Sequence, residues 1–252
     1  MKKQTITAVI PTLNEEHNIE RALKSVEWCD NIIVVDSGSS DKTVEIAKEM
    51  GAKIHIAHQG ELFVGVQKNI NWAGEHCGTD WVLRIDADEE VTNSLQEEIK
   101  RILEKDVEHV AFGLPRNQYF LGKFLKGGDW AYDRLIRLYK PQFAYYEAIA
   151  SVHEQFVING SKGVLKHALN HYSHPTWKEV NAKWQLYTDL EAKDLKISKF
   201  SAFVKMLFVP PYVFARWIIY HRGWIDGAHG FIAGATRGYY DFLKFYKYLI
   251  SK

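Results

Sequence analysis

Apolar and polar positions alternate in blocks along the first third of the chain. Ile6–Pro11, Ile32–Asp36, Lys53–Ala57 and Trp81–Asp86 are short apolar runs ended by polar residues, the pattern of buried strands. Between them Glu15–Glu27, Asp41–Met50 and Phe63–Glu75 carry apolar residues at helical spacing, and Gly51 directly after the second stretch is a helix stop. This βαβα order predicts a mostly parallel sheet covered by helices on both faces.

The period then changes. Val110–Pro115, Leu135–Tyr139, Val152–Ile158 and Val164–Tyr172 predict further strands between Gly- and Asn-containing turns. Trp177–Leu195 predicts a helix with Val180, Trp184, Tyr187 and Leu190/Glu191 along one face. From Phe200 the pattern predicts two aromatic-rich helices, broken at Pro210-Pro211 and again near Gly223. The expected organisation is an α/β domain over 1–195 with a helical extension over 196–252.

Composition changes this picture in a few places. The 252 residues suffice for one α/β domain and an extension, and the formal net charge of +1 gives no global reason to expect a nucleic-acid partner. The charge is uneven, because from Lys196 onward the only acidic residues are Asp226 and Asp241, against Lys196, Lys199, Lys205, Arg216, Arg222, Arg237, Lys244, Lys247 and Lys252. Such a tail reads either as a surface for a polyanion or as a solvated helix face. Cys29 and Cys77 form no spacing motif, and Met1–Ile10 reads as a strand and not as a signal peptide. Lys205, Arg216 and Pro210-Pro211 interrupt the apolar Phe200–Tyr220 stretch and argue against a membrane-spanning helix. A soluble cytoplasmic protein, with some contact to a membrane surface, is the expectation.

Candidate chemistry lies at the strand ends, where an open α/β sheet binds ligands. Pro11-Thr12-Leu13-Asn14-Glu15 closes the first strand; its structural reading is a helix start capped by Asn14. In Asp36-Ser37-Gly38-Ser39-Ser40-Asp41 the first carboxylate can accept hydrogen bonds from a base or ribose, and the small residues let backbone approach a ligand, while Ser40 or Asp41 can also be a helix cap. Asp86 and Asp88, in Arg84-Ile85-Asp86-Ala87-Asp88-Glu89, alternate on extended backbone and can approach one cation, whose charge would relieve their repulsion. The same D-x-D also occurs in ordinary surface turns.

Together, Val9-Ile10-Pro11-Thr12-Leu13-Asn14-Glu15, Ile32-Ile33-Val34-Val35-Asp36-Ser37-Gly38-Ser39-Ser40-Asp41 and Asp86-Ala87-Asp88 resemble glycosyltransferase family 2, most of all the small bacterial enzymes of the lipopolysaccharide inner core. The resemblance is dense over Thr5–Glu90, thinner to Tyr172, and includes Gly223-Trp224-Ile225-Asp226-Gly227. It departs at Asp36-Ser37, where many relatives have two acidic residues. It implies a GT-A fold: a Rossmann-like nucleotide-sugar half over 1–90, an acceptor half over 91–195, and an inverting transfer from a nucleotide-diphosphate sugar, with UDP-glucose favoured. It further implies that Pro11, Asn14, Glu15, Asp36 and Ser39 line the nucleoside pocket, and that Gln67-Lys68-Asn69 lies near the donor phosphates, with Lys68 equally readable as a solvated helix residue. Asp88, with Asp86 through water or the ribose, would hold Mg²⁺ or Mn²⁺.

An inverting transfer needs a base for the acceptor hydroxyl. The resemblance places Glu154, in Val152-His153-Glu154, in that role; Asp129 and Asp133 compete, and an exposed strand residue is the structural alternative. His171 can complete a metal shell or be structural, His174 likewise, and His167 has less to recommend it. The acceptor implied is a saccharide or a lipid-linked saccharide. A polyprenyl-phosphate sugar synthase would use the same fold and donor chemistry, and a non-catalytic sugar-binding descendant would not need Asp36, Asp86, Asp88 and Glu154 intact. A dinucleotide-dependent oxidoreductase would need a G-x-G-x-x-G that the Thr12-Leu13-Asn14-Glu15 turn lacks. The tail reads equally as an anionic-membrane contact or as a packing or dimer element.

Overall fold

The structure, a computed structural model, describes residues 3–56, 64–105, 107–147 and 155–251. Packing divides the chain into two compact units: Met1–Pro115 with Arg134–His171, and Arg116–Asp133 with Tyr172–Lys252. These bounds differ from the division expected at residue 195, because the helix Trp177–Asp194 belongs with the C-terminal helices.

In the first unit the chain runs β1 (Ile6–Thr12), α1 (Ile19–Ser25), β2 (Asn31–Asp36), α2 (Thr43–Glu49), β3 (Lys53–Ile56), α3 (Val64–His76), β4 (Trp81–Arg84), β5 (Glu89–Val91) and α4 (Asn93–Leu103). β6 (Ala111–Phe120) carries the chain into the second unit, where β7 (Lys123–Phe124) follows. The first unit resumes with β8 (Arg134–Tyr139), β9 (Ala144–Glu147), β10 (Gln155–Ile158) and β11 (Lys162–Val164), until β12 (Leu169–His174) crosses again.

β3, β2, β1 and β4 lie side by side and parallel, with Thr12 opposite Asp36 and Val9 opposite Arg84. β8 joins β4 antiparallel, β6 joins β8 antiparallel, and β5 pairs antiparallel with β12. The chain leaves β1 toward β2 and β3 and then returns to β1's other side as β4. That reversal makes the carboxyl ends of β1 and β4 a topological switch point.

Alternation along the strands explains the two-sided burial. Ile6, Ala8 and Ile10 pack with Val34 and Leu83, with Ile19 and Leu23 of α1, and with Leu95 and Ile99 of α4. Val9 points the other way, to Ile33, Val35, Val82 and Ala73 of α3. A sheet apolar on both faces must be covered on both, which is why its strands are nearly unbroken apolar runs.

Several expectations are corrected. α1 begins at Ile19, not near Glu15, because Asn14 takes a left-handed backbone (φ 55°) that no helix accepts. The strand expected over Val164–Tyr172 is two strands, β11 and β12. α4 went unread although Thr92 caps it through Leu95 N–H and Leu95, Ile99 and Leu103 share its buried face. Ala57, Phe63 and 152–154 of the expected elements lie outside the described residues.

The second unit continues with α5 (Trp177–Asp194), α6 (Lys199–Ala215), a π-helical turn over Arg216–Tyr220 and α7 (Ala228–Ile250). The expected break at Pro210-Pro211 does not occur, since α6 runs through both prolines. The cost of two missing N–H donors is met by packing on α7. There Gly238 comes so close to the Pro210 carbonyl that an added Cβ would sit 2.9 Å from its oxygen. The interruption near Gly223 is present, as a short 3₁₀ turn over Gly223–Asp226. Buried Asp226 accepts the backbone N–H groups of Lys126 and Gly127, each at 2.8 Å, so the Gly223–Gly227 motif secures a loop of its own unit.

Candidate active site

The site residues of the first unit gather where β1, β2 and β4 end. Asp36 closes β2 almost fully buried, and its carboxylate organises the loop that follows. One oxygen accepts the N–H groups of Gly38 and Ser39, both at 2.9 Å; the other accepts the hydroxyls of Ser39 and of Thr12, the latter at 3.2 Å. A carboxylate offers about four lone-pair directions, so a further donor could reach Asp36 only by replacing one of these bonds.

Asn14 is not the expected helix cap. Its N–H donates to the Ser39 hydroxyl at 2.8 Å and its side-chain oxygen accepts Ser40 N–H at 2.8 Å, tying the β1 loop to the β2 loop. Glu15 N–H reaches the Thr43 hydroxyl at 2.8 Å, adding a second tie. Pro11 costs no ladder bond. Val9, two residues earlier, faces β4 through the Ile85 N–H, and β4 has ended by the time Pro11 faces that side.

The acidic motif turns out asymmetric. Asp86 is paired with Arg137 and, at 3.2 Å, with Arg84; Arg137 also meets buried Glu89 at 3.0 Å. Glu89 in turn accepts Asp86 N–H at 2.9 Å. Burial alone would disfavour the Arg137 cation, yet Asp86 and Glu89 outweigh it and hold the guanidinium above the ordinary arginine range. Arg84 donates to the Tyr146 hydroxyl at 2.5 Å, and Asn71 of α3 clamps the Tyr146 backbone through both its amide atoms. The relief of repulsion assigned to a cation from sequence is thus supplied, for Asp86, by two arginines. Arg84, Arg137 and Asn71 were missed; for the two arginines the available signal was a charge beside apolar strand positions, Arg84 at the end of β4 and Arg137 within β8.

Replacing Arg137 by Met is expected to lower the unfolding free energy by about 3–5 kcal/mol, because Glu89 then keeps a buried charge without that cation. Urea denaturation reads this directly, and an unchanged midpoint would contradict it.

Asp88 faces elsewhere. Its carboxylate lies 3.5 Å from His171 Nε2, both side chains being largely buried. The β5–β12 register sets His171 opposite Glu89, beside Asp88. Carboxylate oxygen and imidazole nitrogen are a donor set that fits Mn²⁺ or Mg²⁺, the remaining positions falling to water and phosphate oxygens. Among the described residues no group of three or more His, Cys, Asp and Glu side chains is placed to hold an ion.

The other candidates fall outside this cluster. Lys68 is exposed on α3 and makes no hydrogen bond or ion pair among the described residues, between buried Gln67 and Asn69. Glu154, with Val152 and His153, lies outside the described residues. In the second unit Asp133 pairs with Arg116, and Asp129 pairs with Arg216 and, at 3.3 Å, with His221. His174 stacks on Trp130 at 4.9 Å, and His167 is clipped by Glu98 at 2.9 Å.

Comparison with known proteins gives the family of the chain. Residues 7–172 match the family model described as glycosyl transferase family 2. The lipopolysaccharide core biosynthesis glycosyltransferase LpsC of Rhizobium meliloti (strain 1021) is 30% identical over 244 residues, 96% of this chain and 90% of its own length. The uncharacterized glycosyltransferase RT0209 of Rickettsia typhi (strain ATCC VR-144 / Wilmington) is 31% identical over 98% of this chain and 87% of its own. Among solved structures, S. aureus TarS resembles 89% of this chain over 46% of its own, at 16% identity and a TM-score of 0.47.

Proposed function

The chain belongs to glycosyl transferase family 2 and is a glycosyltransferase of GT-A fold, and from that premise we propose an inverting, metal-dependent transfer from a nucleotide-diphosphate sugar, UDP-glucose first, to a saccharide acceptor of the lipopolysaccharide core or another cell-envelope glycan. The observation that supports it most is the meeting of Asp88, in the turn after β4, with His171, on the same sheet whose β1 and β2 loops are tied together by Asn14 and Asp36.

The nucleoside sits over the loops after β1 and β2. Asp36 shapes its floor through Gly38 and Ser39, and the Ser39 hydroxyl is the group a ribose or base displaces. Asn14 and Glu15 keep the two loops in register through Ser39, Ser40 and Thr43. Asp88 and His171 would hold Mn²⁺ or Mg²⁺, which would supply positive charge to offset the negative charge developing on the departing nucleoside diphosphate. Asp86, braced by Arg84 and Arg137, keeps the turn bearing Asp88 in place and stays near enough to assist through water or the ribose.

The acceptor oxygen attacks the anomeric carbon as the bond to the diphosphate breaks on the opposite face, and the acceptor's proton passes to Glu154. Asp129 and Asp133 are less suited to this role, since each already faces an arginine. The acceptor is a saccharide, free or lipid-linked; the lipid-linked form puts the enzyme at the inner face of the cytoplasmic membrane.

A panel of nucleotide sugars scored by release of nucleoside diphosphate tests the reading. A uridine donor is expected to react fastest, and no release from any nucleotide sugar would overturn it.

A further inference from the structure

We propose that the outward face of α6 is an in-plane membrane contact that seats the second unit on anionic lipid. Over Lys199–Tyr220, α6 and its π turn form a helix long and apolar enough to cross a bilayer, with only 22% of the stretch buried. Length and composition alone thus do not disqualify the segment, although Lys205, Arg216 and the two prolines lie within it. The helix has two unlike sides. At about 100° per residue, Phe200, Val204, Leu207 and Pro211 fall within an arc of about 60°, and Phe208 and Ala215 border it. Phe200 is 78% exposed, Phe208 68% and Ile219 73%.

The opposite side is fixed to its own unit. Ala202, Val213 and Trp217 are buried, and Trp217 fits so closely against Gly128, Gly223 and Gly234 that an added Cβ at any of them would overlap its ring. Arg216 is held by Asp129. A helix anchored along one side while exposing the other lies along a surface and does not cross it.

Charge identifies the surface. Most cations of the tail are already used within the unit. Arg237 pairs with Asp241, Lys244 with Glu191 and Asp241, and Lys247 with Asp189; Lys199 donates to the last carbonyls of α7. Lys205 and Arg222 are exposed and make no ion pair among the described residues, and Lys205 lies about 60° round the helix from Phe208. No acidic residue occurs from Leu195 to Ile225, so the face pairs large apolar groups with cations alone. That is the complement of anionic headgroups over acyl chains. Tyr212, Tyr220 and Trp224, all exposed, supply rings with polar tips suited to the headgroup level. The consequence for the acceptor, that it is reached at the membrane, rests on the reaction proposed above; the contact itself does not.

The test is co-sedimentation of the full chain with vesicles of phosphatidylcholine alone and with about one third phosphatidylglycerol. Binding is expected to the anionic vesicles, to weaken about fivefold for each of Lys205→Gln and Arg222→Gln, to fall with salt, and to vanish in Phe208→Ser/Ile219→Ser. These side chains point outward, so circular dichroism should be unchanged. Donor hydrolysis without lipid is expected to survive in the Phe208/Ile219 variant, which separates failure of this contact from failure of the proposed reaction. A chain that stays in the supernatant at low salt overturns the proposal, as does a dimer abolished by Phe208→Ser/Ile219→Ser in a protein that ignores vesicles.

Discussion

Asp88→Asn is expected to lower kcat by about 100- to 1,000-fold while leaving the fold intact. The substitution keeps shape and removes the negative charge that faces His171 at 3.5 Å. Its neighbours are not free to replace it: Asp86 is engaged by Arg84 and Arg137, and buried Glu89 is directed at Arg137 and the Asp86 backbone. Steady-state transfer at saturating donor and Mn²⁺, with circular dichroism as the folding check, measures the effect. The opposite ranking, with Asp88→Asn near wild type and Asp86→Asn inactive, would reverse the assignment of the two carboxylates.

Glu154→Gln is expected to leave the donor KM nearly unchanged and to reduce transfer by about 100- to 10,000-fold, because the amide cannot take the acceptor's proton at neutral pH. Glu154 immediately precedes β10, whose strand begins at Gln155 and pairs with β9, the strand that bears Tyr146. Asp133→Asn, in contrast, is expected to act on stability through Arg116 more than on turnover. Comparing kcat and KM for both variants decides between them. Near-normal turnover in Glu154→Gln together with an inactive, well-folded Asp133→Asn would move the base to Asp133.

The parallel sheet was legible because each of its first strands is an apolar run closed by chemistry-bearing residues, and a strand buried on both faces can be little else. Asp36 closes β2 where the sequence put it, whereas β4 ends at Arg84, two residues short of Asp86, and Asp88 lies in a turn and not on the extended backbone expected of it. What was not legible depends on partners far along the chain. The alternation of Arg134-Leu135-Ile136-Arg137 does not reveal that Arg137 is the buried counterion of Asp86, 51 positions earlier. Asn14 looked like a cap because Asn caps helices; its left-handed φ and its bonds to Ser39 and Ser40 become visible only once β1 and β2 are adjacent. Pro210-Pro211 broke the helix on local grounds, whereas α6 continues through both and packs on α7 with Gly238 against the Pro210 carbonyl. The charged tail failed as a count for the same reason, since four of its nine cations are spent on Asp129, Asp189, Glu191 and Asp241.

A divalent ion held by Asp88 and His171 would make nucleotide release depend on added metal. Nucleoside diphosphate release from the best donor is followed in EDTA-treated enzyme and again as Mn²⁺ or Mg²⁺ is added back, for the wild type and for His171→Ala. The wild type is expected to be inactive in EDTA and to recover fully, with His171→Ala needing at least about tenfold more metal for half-recovery. Full release in EDTA, or identical metal dependence in the two proteins, would contradict it.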